Sequence, residues 1–149
     1  NTGFSDDSKS LEKNLERQIM EMRELLTIEL RVGEAFELLF DVYRECSEAN
    51  WDGYNALPIS HEAYYEAEKL LKLLPLSLPM PEIVPEPTGE VGLEWYREKR
   101  FVFVISVGGN NIITYAGIFG ESNKTHGTEE FFGELIPPAI LQNIRRLFS

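Results

Sequence analysis

The chain has 149 residues, 43% hydrophobic and 26% charged, a globular composition long enough to bury roughly 70% of its unfolded surface without a disulfide or metal staple. Its 25 acidic and 14 basic residues leave a net charge of −11. That charge excludes a nucleic-acid binder that tracks phosphates with a clustered positive surface, and it agrees with a basic partner or with plain solubility.

The sequence opens on Asn1 rather than Met, as in a processed or trimmed chain. Residues 1–10 are small and polar, and fraying is expected there. From Leu11 an apolar series runs Leu11, Leu15, Ile19, Met22, Leu26, Leu30. Its steps of three and four describe one face of an amphipathic helix. A second series, Phe36, Leu39, Tyr43, Cys46, continues at helical spacing to about Ala49, with Gly33 between the two. An unbroken helix from Leu11 to Glu48 would be about 57 Å long. Either the chain bends near Gly33, or the helix projects and pairs with another subunit.

Asn50 to Pro58 reads as a loop. Asn50 and Asp52 suit accepting backbone amides, and Gly53 suits a positive φ. Ser60 is a helix cap with Glu62 in the first turn, Ile59 and Tyr64 form a hydrophobic staple, and Pro75 ends the helix. The segment from Leu76 to Pro87 carries four prolines. It admits at most an edge strand, at Glu82 to Val84. Val91, Leu93 and Trp95 alternate as a half-buried strand, and Phe101 to Val107 is apolar on both faces, as a central strand is. Gly108 to Asn111 supplies hairpin turn chemistry before a strand at Ile112 to Ile118. A polar loop is expected at Gly120 to Gly127, a short strand around Glu129 to Gly133, and a last helix from Pro137 with Ile140, Ile144 and Leu147 on one stripe.

The expected fold is α+β in one domain over 11–149. N-terminal helices and a C-terminal helix pack on an antiparallel β-meander of three to five strands, with 11–49 a helical arm and 50–149 a helix-plus-sheet unit.

Two motifs carry a resemblance. The first is Trp51-Asp52-Gly53-Tyr54, Ala56 and Pro58-Ile59-Ser60, leading to a Leu-rich helix that ends at Leu74-Pro75. The second is Gly89 followed by Leu93-Glu94-Trp95. In these the chain resembles a widespread group of small, uncharacterised bacterial proteins. The match covers the middle third well and the sheet loosely, and does not reach Leu11 to Ala49. It implies a shared fold unit and no activity.

Trp51, Asp52 and Tyr54 are a candidate binding or interaction platform, because Trp and Tyr are favoured at interface hot spots. The competing reading is a folding device in which Asp52 closes a turn and the aromatics pack. Glu94 and Tyr96 are candidates on the sheet. Glu94 would face away from the core if Trp95 faces it, either as an acid–base group beside Asp52 or His61 or as a solvated strand residue. His61 and His126 read as exposed polar positions, and Cys46 as a small buried hydrophobe. The lone cysteine fits a reducing, cytoplasmic setting. No motif for catalysis, a metal or a cofactor stands out, and no run is long and apolar enough to span a bilayer. The function expected is a non-enzymatic protein-interaction or regulatory module, homo-oligomeric through the N-terminal helices. The alternatives are a small-molecule-binding or hydrolytic enzyme using carboxylates, and an acidic antagonist of a basic nuclease or toxin.

Overall fold

The structure is a computed structural model that describes residues 2–149, with side chains from residue 5 onward. It is α+β, with three helices and a five-stranded antiparallel sheet: α1 (Thr2–Glu45), α2 (His61–Leu73), β1 (Glu82–Pro85), β2 (Val91–Glu98), β3 (Phe101–Val107), β4 (Ile112–Phe119), β5 (Lys124–Glu130) and α3 (Pro138–Leu147). The chain divides into two compact units, Asn1–Gly33 and Glu34–Ser149.

In the first unit, residue 1 lies outside the described residues, and Thr2 to Ser10, where fraying is expected, is helical. The helix passes through Gly33 without a break. Every side chain from Ser5 to Thr27 is exposed.

The second unit is built on a meander, with strand order β1-β2-β3-β4-β5. Each strand is joined to the next by a short connection, so antiparallel neighbours follow directly from chain order. The central position of β3 explains why both its faces are apolar. Pairing sets Leu93 against Ile105 and Trp95 against Phe103, and these side chains are buried on the face that α2 and α3 cover. The last turns of α1 contribute Ala35 and Leu39 to the same core.

Local chemistry explains the ends of the elements. The Ser60 Oγ accepts the Ala63 N–H at 3.0 Å and caps α2. Pro138 begins α3, where its missing N–H leaves no donor unpaired. The proline-rich stretch does form only an edge strand, β1. At the other edge the sequence reading needs correction. The expected polar loop is confined to Gly120–Asn123, and β5 occupies Lys124–Glu130, earlier and longer than the short strand expected around Glu129. Its polar residues pair with β4 from Ile118↔Lys124 to Ile112↔Glu130. Backbone pairing alone makes this strand, so no apolar alternation announces it.

Candidate functional site

The loop between α1 and α2 is held by its own polar groups. The Asp52 Oδ1 accepts the Tyr54 N–H at 2.8 Å and the Ala56 N–H at 3.1 Å. The Asn50 Oδ1 accepts the Asn55 N–H at 2.8 Å, and Asn50, Gly53 and Asn55 all take positive φ. Asn and Gly tolerate that conformation best. The Trp51 Nε1 donates to the Leu57 carbonyl at 2.7 Å, and its ring packs half-buried against the core. Tyr54 points outward and is 86% exposed.

This loop meets the turn before β2. The Leu57 N–H donates to the Pro87 carbonyl at 2.8 Å, and the Ser60 N–H to the Gly89 carbonyl at 3.4 Å. A Cβ on Gly89 would stand 2.9 Å from the Pro58 carbonyl oxygen, so glycine is what lets the two backbones close. The two motif segments are therefore neighbouring parts of one scaffold.

Glu94 and Tyr96 lie together on the sheet face opposite α2 and α3. Pairing places Glu94 between Glu82 and Val104, and Tyr96 beside Val102. Tyr96 is 57% exposed. Among the described residues, no hydrogen bond joins Asp52 to Glu94, and the Asp52 Oδ1 is committed to its own turn. Cys46 is buried, and burial pushes its thiol above the usual range. The Tyr43 hydroxyl sits 2.8 Å from a ring nitrogen of His61, which ties α1 to the start of α2.

Two further features attract function. The first is the exposed face of α1. Leu11, Leu15, Ile19, Met22, Leu26 and Leu30 are each half exposed or more, from 50% to 68%. Side chains of this kind gain about 1.5–3 kcal/mol each on full burial.

The second is a pocket of about 410 Å³, lined among others by Glu62, Tyr65, Glu66, Lys69, Phe131 and Phe132. None of the five candidates named from the sequence lines it. At its wall, Glu66 is only 7% exposed. Its Oε2 accepts the Asn111 N–H at 3.0 Å, while its Oε1 is buried with no partner. Burial pushes this carboxyl above the ordinary range, against the pull of the Asn111 and Gly109 N–H groups and the Lys69 charge. The sequence did carry a signal for it. Glu66 falls three residues after Ala63 and four before Leu70, both fully buried, so a charge stands on the helix's inward stripe.

The shift has a consequence for stability. Glu66 ionises more readily in the unfolded chain than in the folded one, so the unfolded state binds fewer protons between the two values. Stability is complete below the unfolded value and falls as pH rises through the folded one. Glu86, raised chiefly by burial although the Ser106 hydroxyl donates to it at 2.7 Å, acts in the same direction. Glu66→Gln keeps an acceptor for the Asn111 N–H and removes the charge. In denaturant unfolding followed against pH, the native chain is expected to weaken relative to this variant as pH rises from about 4.3, the ordinary glutamate value. A difference independent of pH would contradict this.

Among the described residues, no three His, Cys, Asp or Glu side chains converge as a metal cluster would need. No described helix is long and apolar enough to cross a membrane. No family model matches the chain, and neither does any curated protein or solved structure.

Proposed function

We propose that this chain is a non-enzymatic protein-interaction module that pairs with a second copy of itself through the N-terminal part of α1. The observation that carries the reading is the exposed stripe from Leu11 to Leu30 on a helix whose side chains are all exposed from Ser5 to Thr27. A helix in water owes most of its stability to packing of its apolar face, and an apolar stripe of this length marks a surface meant for a partner.

A second copy is the occupant that the numbers favour. The same stripe on both partners makes a self-complementary, twofold contact. Six such side chains per copy, already about half covered by their own helix, supply on the order of 10 kcal/mol when buried on both sides. That is of the same order as an association cost of about 4–15 kcal/mol, the near-balance of a reversible dimer. A basic partner is a weaker fit, because the stripe itself is uncharged. The enzymatic alternative has less support, since Asp52 closes its turn through Oδ1 and no hydrogen bond among the described residues joins it to Glu94. The motifs shared with the small bacterial group fit a scaffold role in the same way, and the buried single thiol fits a cytoplasmic setting.

The double substitution Leu15→Glu/Leu26→Glu tests the reading. It places four charges on the seam of a pair and is expected to weaken association by at least about a thousandfold, which sedimentation velocity would read. Circular dichroism should show a loss of helix at the same time, with amide protection in β2, β3 and β4 unchanged. Unaltered association would exclude this face as the interface.

A further inference from the structure

We infer that the pocket beside Glu66 is a binding site for a cationic nitrogen group, a primary ammonium or a guanidinium. This does not rest on pairing through α1, since the pocket is lined entirely from the second unit.

Three observations converge on that chemistry. The Glu66 carboxylate is the one buried side-chain polar group among the described residues with an unpartnered oxygen, and it forms part of the pocket lining. Buried acceptors are ordinarily satisfied, so a lone buried carboxylate oxygen marks a place where a donor is accommodated. The Asn111 N–H is spent on the other oxygen, Oε2, so a donor for Oε1 comes from outside.

The walls suit a cation. Tyr65, Phe131 and Phe132 present aromatic surface, whose negative ring faces attract ammonium and guanidinium groups. Glu62 joins Glu66 in the lining, beside the single basic residue Lys69. The volume, about 410 Å³, lies within the usual range for small-molecule sites and accommodates one long basic side chain. Phe131 is 1% exposed and forms the inner wall, while Phe132 at 65% and Tyr65 at 56% are exposed at the rim. Lys69 is the internal competitor, and its aliphatic stem lies beside the bend at Gly133, where a Cβ would come within 2.8 Å of Lys69 Cδ.

The same charged group is presented by a free amine or by a Lys or Arg side chain of a polypeptide. Titration of the full chain with the methylamides of N-acetyl-lysine and N-acetyl-arginine, with butylammonium, and with the methylamide of N-acetyl-norleucine separates the cases. Binding is read from the amide resonances of Gly109 and Asn111. The cationic probes are expected to shift both signals, and the neutral norleucine compound to bind at least about tenfold more weakly. Equal affinity for norleucine would mean an apolar cleft and overturn the assignment. Butylammonium as good as the lysine compound assigns free amines, whereas clearly tighter lysine or arginine compounds assign a protein side chain. Glu66→Gln should lower affinity for the cationic probes about tenfold. Phe132→Ala, which removes a largely exposed ring, should lower it severalfold. Unchanged affinity in either folded variant would overturn the proposal.

Discussion

Gly109→Ala is expected to cost more than about 3 kcal/mol of stability, the severest effect of a methyl group added at any described glycine. Gly109 sits in the β3–β4 turn with φ +80, a conformation an L side chain adopts only with strain. Its Cβ would also fall 2.3 Å from both the Glu62 carbonyl carbon and the Glu62 Cβ, and 2.6 Å from the Ala63 nitrogen. These are mostly backbone atoms in the first turn of α2, held by the Ser60 cap, so they cannot swing away. Relief requires the hairpin to lift off the helix. That would also break the hydrogen bond from the Asn111 N–H to Glu66 and leave more of that carboxylate unpaired. Urea unfolding of the variant would read the loss. A cost below about 1 kcal/mol would mean that the turn and α2 are not in contact as described.

Trp95→Ala should lower stability by about 3–5 kcal/mol, a large share of the 5–15 kcal/mol typical of a domain. Trp95 is 1% exposed and packs against Phe103 with ring centroids 6.2 Å apart. Its Nε1 donates to the Pro79 carbonyl at 2.8 Å, so the ring also pins the proline-rich segment to the sheet. Truncation opens a cavity under β2 and β3 and orphans that carbonyl. Trp95→Phe keeps most of the volume and loses the hydrogen bond, so it should cost far less. Equal losses in the two variants would assign the effect to the hydrogen bond rather than to packing.

Most of this scaffold could be read from local chemistry. Alternating Val91, Leu93 and Trp95 announce a sheet face because burial on one side imposes a period of two. Ser60 announces a helix start because its hydroxyl answers a free N–H. Clustered prolines announce an edge because they cannot donate to a central ladder. What stayed hidden depends on partners distant in sequence. The strand β5 is polar and exists through its pairing with β4. Whether the helix broke at Gly33 could not be read either, because glycine in an exposed helix is tolerated at modest cost.

The sites divide in the same way. The aromatic turn is visible as a motif, and in the fold Asp52 closes its own loop while Gly89 lies against Pro58. Glu94 and Tyr96 were correctly placed on the face away from Trp95, because a strand alternates its side chains. Of the pocket, the sequence signals only Glu66, a charge on the inward stripe of α2. The pocket needs Glu66 from α2, Asn111 from the hairpin and Phe131 from beyond β5, and only the folded sheet brings these together.

The most direct test of the pairing through α1 is the mass of the native chain in solution, measured by sedimentation equilibrium from about 1 to 100 μM, the range in which a reversible dimer forms. The expected result is a concentration-dependent rise toward twice the 17.1 kDa of one chain. A constant mass of 17.1 kDa across that range would contradict it.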